Sequence, residues 1–329
     1  MKFTPAEYRT MIKMSSSGKY LLVEGRSDKR LFQAFFYELF NKVAQATSID
    51  NIIINSAEDL IQIDSSLGNR QKVELVCKSI QGTPLASKLI GFVDREFREF
   101  NISGVPEDKL SKHNKIDGVI WSRGHSIENY CFDFSILHSP LREHSDIDRF
   151  DLALGLFKKI FDSALSLACA ISLAAEELGK LQRVCGRIKW QAIEINLAEV
   201  KLRLDILKHE LVNRPSKGGL TEEENDLLIE CIGKWLRRIE EIDLSCVRWL
   251  CHGHIGMSFI WAAYGQCVYV VCKDLGIEHP ESEVHRVFES KENSRLRSCI
   301  SSWIRRSLDN TSEYPREILS FFDLSVSHA

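Results

Sequence analysis

The sequence lacks several features that would assign it at once to a class of protein. No segment matches G-x-x-x-x-G-K-[ST], the phosphate-binding loop, so we do not expect the chain to be an ATPase by itself. The net charge is only −3, so any nucleic-acid partner would have to bind local basic patches. Internal repeats and low-complexity segments are absent as well. A chain of 329 residues is long enough for two domains, or for one α/β domain with a large insertion.

Signals for export, membrane insertion and disulfide bonding are also weak. The first twenty residues lack the continuous apolar core of a signal peptide. The longest apolar stretch, residues 164–175, is too short to span a bilayer and predicts a buried helix. The ten cysteines include no C-x-x-C pair, which favours buried thiols over a disulfide framework. We therefore expect a cytoplasmic protein.

One group of cysteines and histidines could in principle bind zinc. Cys246, Cys251, His252 and His254 lie within nine residues of one another. Their spacing fits one tetrahedral ion poorly, because the two histidines are separated by a single glycine. We treat His252 and His254 as a candidate general acid–base pair or phosphate contact, with hydrogen bonding to nearby backbone as the alternative.

The first half of the chain alternates short apolar segments with amphipathic ones. The amphipathic segments at 29–42 and 69–80 predict helices. The apolar segments predict strands at 20–24, 51–55, 88–94 and 117–122. This alternation predicts an α/β fold, with a mostly parallel sheet that is covered by helices on both faces.

Helical patterns replace strand patterns from about residue 150. Apolar residues spaced three and four apart between Trp190 and Leu211 predict a heptad seam. Thr221 and Glu224 form the capping box of a second helix with its own seam. We expect an antiparallel helical hairpin at about 187–243, serving as a structural arm or as an interface for another protein. The seam residues are Trp190, Ile193, Leu197, Val200, Leu204, Leu207 and Leu211, then Leu228, Ile232, Trp235, Ile239 and Ile242.

These patterns divide the chain into three parts. Residues 1–148 form the predicted α/β catalytic core, and residues 149–245 form a helical insertion that contains the hairpin. Residues 246–329 are expected to be mainly helical and to pack on the core.

Acidic residues follow two of the predicted strands. Glu24 ends the first strand, and Asp94 and Glu96 follow the third. Residues i and i+2 of an extended chain point to the same side, so Asp94 and Glu96 can converge. Glu24 joins them if the two strands are neighbours. Carboxylates gathered at one sheet edge repel one another, and Mg²⁺ or Mn²⁺ would relieve that repulsion.

The two acidic segments resemble a known family. "LLVEGRSDKRLF" and the later "LIGFVDREF" are similar to the Toprim domain of topoisomerases, primases and several nucleases. The Toprim pattern has Asp-x-Asp where this chain has Asp94 and Glu96, so the second acid is one methylene longer. The resemblance covers roughly residues 18–130 and implies a Toprim-like sheet and a metal-dependent reaction on phosphodiesters.

A further stretch narrows the resemblance. "SRGHSIENYCFD", residues 122–133, and "RWLCHGHIGMSFI" are similar to a Toprim-like family that includes the AriB effector of the PARIS anti-phage system. This likeness implies a bacterial toxin effector with an ABC-type, AriA-like ATPase as its sensor partner. It also implies a homodimer in the active state and a nucleic-acid substrate, either DNA or RNA such as tRNA.

The resemblance also implies roles for single residues. Glu24, Asp94 and Glu96 would hold the metal, and Glu128 would be a further catalytic acid. Asp28 would orient the Glu24 loop or cap the following helix. Basic and histidine residues expected to contact the substrate are Arg26, Arg95, Lys112, Lys115, Arg123, His125, His252 and His254.

The sequence alone leaves other functions open. Tyr130 lies in an apolar segment, so hydrolysis is favoured over the tyrosine chemistry of topoisomerases. The main alternative is a catalytically degenerate Toprim module that binds a partner through the helical hairpin. Nucleotidyl transfer of the primase kind is a weaker alternative, because no template-binding domain is recognisable.

Overall fold

The computed structural model describes residues 2–42, 51–61, 63–64, 66–196, 199–212, 218–307 and 316–324. Their contacts separate the chain into two compact units. Unit 1 draws on the segments Met1–Glu96, Leu110–Ile127 and Trp303–Ala329. Unit 2 draws on Phe97–Lys109 and Glu128–Ser302.

Unit 1 contains a five-stranded sheet with the strand order β2-β1-β3-β7-β6. The first four strands in this order are parallel, and β6 is antiparallel to β7. Its strands are β1 (Lys19–Val23), β2 (Ile52–Ser56), β3 (Leu89–Val93), β6 (Lys115–Ile116) and β7 (Val119–Trp121). Its helices include α1 (Pro5–Met14), α2 (Arg26–Lys42), α3 (Asn69–Ile80) and α13 (Arg316–Phe321). The predicted α/β class and mostly parallel sheet are thus confirmed.

The central strands β1 and β3 of unit 1 are buried on both faces, because their side chains alternate between two apolar layers. Tyr20, Leu22 and Val93 join a cluster with residues of α1 and α3. On the other face, the Phe32 ring of α2 lies 4.8 Å from the ring of Phe92. The ring of Phe35 stacks on Trp303 at 6.1 Å. Helices on both faces leave the strand ends as the accessible edges of the sheet.

Unit 2 is mainly helical. It holds two antiparallel strand pairs: β4 (Phe100–Asn101) with β5 (Glu107–Asp108), and β8 (Ile193–Asn196) with β9 (Glu199–Leu202). The remaining helix, α12 (Glu292–Ser307), begins in unit 2 and ends in unit 1. The helices of unit 2 are α4 (Phe134–His144), α5 (Phe150–Glu177), α6 (Leu181–Val184), α7 (Leu204–Val212), α8 (Glu222–Ile239), α9 (Leu244–Leu250), α10 (Gly253–Asp274) and α11 (Pro280–Phe288).

The core of unit 2 is built on α5 and α10, which pack against each other. The apolar stretch at 164–175 lies within α5 and is buried, as predicted. Among the described helices, α10 is long and apolar enough to cross a membrane, but 78% of its most apolar window is buried inside the protein. That burial is typical of a core helix in a soluble protein. All ten cysteines lie in described residues, and none of them forms a disulfide bond there.

The first half of the predicted helical hairpin is wrong. Residues 190–192 form a short 3₁₀ helix, residues 193–196 and 199–202 form the β8–β9 pair, and the next α-helix begins only at Leu204. Ile193 and Val200 lie seven residues apart, as in a heptad seam, whereas Ile193 and Ile195 lie two apart, as in an alternating strand. The β-branched residues alternate with polar ones, and that pattern favours strands. Leu197 of the predicted seam lies outside the described residues.

The second half of the predicted hairpin is confirmed. Thr221 caps α8, and Glu224 completes the capping box. The seam residues Leu228, Ile232, Trp235 and Ile239 are buried. Ile242 lies beyond the end of α8, and most of the predicted turn, residues 213–217, lies outside the described residues.

The compact units do not follow the predicted three-part division. Residues 97–109 leave the sheet unit for unit 2, and the described residues from 303 onward belong with the sheet. The segment 246–302, expected to pack on the catalytic core, lies in unit 2. The physical reason is that α10 is apolar on nearly all sides, and α5 offers an equally apolar partner.

Candidate active site at the edge of the sheet

The carboxyl edge of the unit 1 sheet brings together two acidic segments that are far apart in sequence. β1 and β3 are adjacent, with Val23 opposite Phe92. Glu24 therefore lies beside Asp94, and its Oε1 accepts a hydrogen bond of 2.8 Å from the Asp94 amide. The predicted approach of these two segments is confirmed.

The surroundings of Glu24 raise the pKa of its carboxyl to about 7. Burial is the main cause, and the nearby charges of Asp28 and Glu96 add to it. The Asp94 amide and the Arg70 guanidinium act in the opposite direction and favour the ionised form. A proton or another cation on Glu24 is therefore favoured near neutral pH.

Asp28 stabilises the turn that carries Glu24. Asp28 lies in the first turn of α2, and its Oδ2 accepts a hydrogen bond of 2.8 Å from the Gly25 amide. This contact supports the helix-capping role for Asp28. Gly25 is tightly enclosed, because a Cβ there would lie 3.2 Å from Oε1 of Glu58. The Glu-Gly pair thus places a carboxylate where the chain turns sharply from strand to helix.

Glu96 does not follow the geometry expected from the sequence. Its φ is 54°, so the chain leaves the extended conformation at this residue. Its amide donates a 2.7 Å hydrogen bond to the carbonyl of His125, and its carboxylate forms an ion pair with Arg70. The extended conformation expected for residues 94–96 is therefore wrong, although the charge of Glu96 still acts on Glu24. Arg70 fixes the Glu96 carboxylate instead.

Arg70 is the residue of this edge that sequence analysis missed. It lies in the first turn of α3, and its Nη1 donates to Oε2 of Glu96. Its side chain is 27% exposed. The local sequence gives no signal for this role, because one arginine at a helix start resembles any other surface cation.

The donor set at this edge fits a hard divalent cation in part. Within the described residues, no three His, Cys, Asp or Glu side chains are grouped closely enough to hold a metal ion. Glu24 lies beside the backbone of Asp94, and Mg²⁺ commonly takes only one or two carboxylates from the protein and keeps several waters. The raised pKa of Glu24 further shows that this position favours a positive partner. The segments that carry two of the three predicted ligands, Glu24 and Asp94, therefore meet at this edge.

Two of the predicted substrate-binding arginines already have acceptors within the protein. Arg26 is exposed and forms ion pairs with Glu58 at 3.4 Å and Asp59 at 3.3 Å. Arg95 is fully buried, and its Nη1 donates a 2.9 Å hydrogen bond to the carbonyl of Arg123. The burial of Arg95 argues against the expected phosphate contact, because a substrate cannot reach it in this conformation.

The other predicted substrate residues of unit 1 differ in exposure. Lys112 and Lys115 are exposed, and Lys115 lines an open groove of about 330 Å³ with Arg316 and Ser320. His125 is buried. The carbonyl of His125 accepts the Glu96 amide, so this histidine supports the position of the acidic segment.

Glu128 belongs to unit 2, where its carboxylate contacts a histidine. Its Oε1 lies 3.3 Å from Nδ1 of His254, which is exposed. His252 caps α10, with the amide of Ile255 donating to its Nδ1 at 3.4 Å. Burial lowers the pKa of His252 to about 4, and the charge of His254 adds to this effect. The structure therefore gives His252 a backbone-capping role and pairs His254 with Glu128.

The segment that contains Asn129 and the segment that begins at Arg248 contact each other in unit 2. Asn129 is buried, and its Nδ2 donates to the carbonyls of Arg248 at 2.6 Å and Cys251 at 2.8 Å. The Arg248 guanidinium returns hydrogen bonds to the carbonyls of Asn129 and Tyr130. These reciprocal bonds fix the segment of Glu128 against the start of α10.

Comparison with known proteins adds no relative: no model of a protein family matches the chain, and no curated protein matches it. The roles proposed for the edge residues therefore depend on their geometry and electrostatics. The combination of a raised pKa, adjacent acidic segments and an accessible sheet edge is typical of a functional site in an α/β protein.

Proposed function

We propose that the protein is a metal-dependent nuclease of the Toprim type, with its active site at the carboxyl edge of the unit 1 sheet. The observation that carries this proposal is the state of Glu24. Its carboxylate has a pKa of about 7 and is hydrogen-bonded to the Asp94 amide at the end of the neighbouring strand. A carboxyl whose burial raises its pKa at a ligand-binding edge is better explained by a reaction than by stability.

In this proposal Glu24 and Asp94 would hold one Mg²⁺ or Mn²⁺ ion. When bound, such an ion polarises a phosphodiester and makes a water molecule more acidic. The residues of the chain would do the following: Asp94 positions Glu24 through its amide, and Glu24 would lose the proton that it holds near neutral pH in order to bind the ion. Glu128, in unit 2, is proposed as a further catalytic acid oriented by its contact with His254.

The biological role that we propose is that of a toxic effector in bacterial anti-phage defence. An ABC-type ATPase sensor would hold the chain inactive in the cytoplasm and release it on infection, and the active form would be a homodimer. The support is the resemblance of the 122–133 segment and of the start of α10 to effectors of this kind. Their mutual hydrogen bonds through Asn129 and Arg248 add to it. The substrate would be RNA such as tRNA, or DNA.

A second candidate function is a non-catalytic Toprim module that binds a partner. One observation favours it: Glu96 is paired with Arg70, and the described residues hold no three-residue metal group. The two functions differ in their need for Glu24. A nuclease requires its carboxylate, whereas a binding module requires only the fold.

The test is cleavage of nucleic acid by the full chain. Purified protein is incubated with total RNA and with genomic DNA in the presence of Mg²⁺, and the products are sequenced for discrete ends. The nuclease proposal predicts discrete ends in one pool, lost with chelator and with Glu24→Gln. Glu107→Gln, which removes an exposed carboxylate of β5, is the matched control and should cleave normally. Equal cleavage by the wild-type protein and Glu24→Gln would reject the proposal.

A further inference from the structure

Arg70 supplies positive charge to two carboxylates of the sheet edge at once. Its guanidinium pairs with Glu96, and its charge favours the ionised form of Glu24. Both effects are those that a metal ion would have on the same residues. Arg70 and a bound metal would therefore compete for the Glu96 carboxylate.

The guanidinium of Arg70 is only partly satisfied by its present contacts. Its Nη1 donates to Glu96, while its Nε is buried and has no hydrogen-bond partner among the described residues. The carboxylate of Glu74 lies 4.0 Å from Nε. The Arg70 side chain is 27% exposed, so a phosphodiester can reach the accessible part of its guanidinium, whose planar fork of donors suits a phosphate.

Glu96 can change partner without a change in the fold. Its backbone is fixed in the left-handed region by the hydrogen bond to His125, but its side chain is 51% exposed. Rotation of that side chain would bury no charge and would open no cavity in the apolar core. Two arrangements of the same carboxylate, toward Arg70 or toward the metal, are therefore accessible.

We propose that Arg70 binds a phosphate of the nucleic-acid substrate and thereby releases Glu96 to become the third metal ligand. This inference rests on the proposed function of the edge. The exchange makes substrate and metal bind cooperatively, and the coupling is reciprocal. Arg70 is thus a substrate-binding residue that also controls how much metal the site takes up before the substrate arrives.

The experiment measures Mn²⁺ affinity by electron paramagnetic resonance of the free ion, with the full chain at one fixed pH. Each variant is titrated alone and with a phosphorothioate oligonucleotide, in RNA and DNA forms, which keeps the backbone charge and resists cleavage. For the wild-type protein the oligonucleotide should raise Mn²⁺ affinity about tenfold, a coupling of ordinary size. Arg70→Gln should bind Mn²⁺ alone more tightly and lose this coupling.

Two further variants separate the exchange from simple charge effects. Lys72→Gln removes a cation two residues along α3 that forms no ion pair with a described residue, and it should keep the wild-type coupling. Glu96→Gln releases Arg70, so it should bind the oligonucleotide more tightly in the absence of Mn²⁺. The inference is overturned if the wild-type protein shows no coupling, or if Arg70→Gln retains it.

A failure of this inference is distinguishable from a failure of the proposed function. Glu24→Gln should abolish Mn²⁺ binding whether or not Arg70 exchanges its partner. If Glu24→Gln binds Mn²⁺ as the wild-type protein does, the metal site itself is rejected. If it does not, and Arg70→Gln behaves as the wild-type protein, only the exchange is rejected.

Discussion

Glu24 shows how the fold sets the proton affinity of one side chain. Its strand brings it to an edge where burial and the charges of Asp28 and Glu96 disfavour the ionised form. The Asp94 amide holds its Oε1 at 2.8 Å, so the carboxyl cannot turn away to solvent without losing that bond. The ionised form of Glu24 is therefore unfavourable in this site unless a cation neutralises it.

Glu24 should make the stability of the protein fall as the pH rises toward 7 and above. The folded pKa is about 7 and the ordinary value is 4.5, so the folded state holds an extra proton between these values. The free energy of unfolding therefore decreases as pH increases through this window, by as much as about 3 kcal/mol at pH 8.

Urea denaturation at pH 5 and pH 8, with chelator, measures this effect. Glu24→Gln cannot ionise and should show a smaller loss of stability between the two pH values. Glu107→Gln should behave as the wild-type protein, because that carboxylate is exposed. Equal pH dependence in the wild-type protein and Glu24→Gln would contradict the raised pKa.

At the scale of elements, helix α3 packs tightly against strand β3 next to the site. A Cβ on Gly91 would lie 2.8 Å from Cγ1 of Val73 and 2.9 Å from Sγ of Cys77. This approach places the first turn of α3, with Arg70, beside the acidic residues that follow β3. Because Gly91 has no side chain, α3 can lie close enough to β3 to bring Arg70 to this edge.

Gly91→Ala should destabilise the protein by about 1–3 kcal/mol, because the added methyl group overpacks the helix–sheet contact. Gly155→Ala in α5 is the opposite case, since nothing lies within 4 Å of a Cβ there. That control should stabilise by about 0.5–1 kcal/mol through its higher helix propensity. Thermal denaturation of both variants checks the pair, and a neutral Gly91→Ala would show that α3 can shift freely.

Of two buried asparagines in unit 2, Asn129 should cost more free energy of unfolding when it is replaced. Its Nδ2 serves carbonyls of both Arg248 and Cys251, whereas Nδ2 of Asn225 serves that of Lys208. Asn129→Ala is expected to cost about 3 kcal/mol and Asn225→Ala about 1 kcal/mol, because more buried carbonyls lose their donor. Urea denaturation measures both, and equal costs would contradict the joining role of Asn129.

Sequence reasoning succeeded where one pattern had one physical meaning. The apolar strands and the capping box of Thr221 and Glu224 were predictable because each has a local cause. It failed at Ile193 and Val200, whose seven-residue spacing matches a heptad seam although the two residues lie in separate, paired strands. It also missed the ion pair of Arg70 with Glu96, because a contact between residues distant in sequence leaves no local pattern.

At the scale of the whole molecule, the chain passes repeatedly between two compact units. Each unit carries part of the chemistry predicted from the sequence. Glu24, Asp94 and Glu96 follow strands of unit 1, while Glu128 lies in unit 2 with His254. The metal site at the sheet edge is the part of the proposal that involves residues of unit 1 alone.

The most direct measurement is an anomalous difference map from crystals of the full chain soaked in Mn²⁺. The account predicts a peak at the carboxyl edge of the sheet, about 2.1 Å from oxygens of Glu24 and Asp94. The same crystals of Glu24→Gln should lose the peak. A strong Mn²⁺ site elsewhere, with Glu24 and Asp94 bound to no metal, would contradict the account.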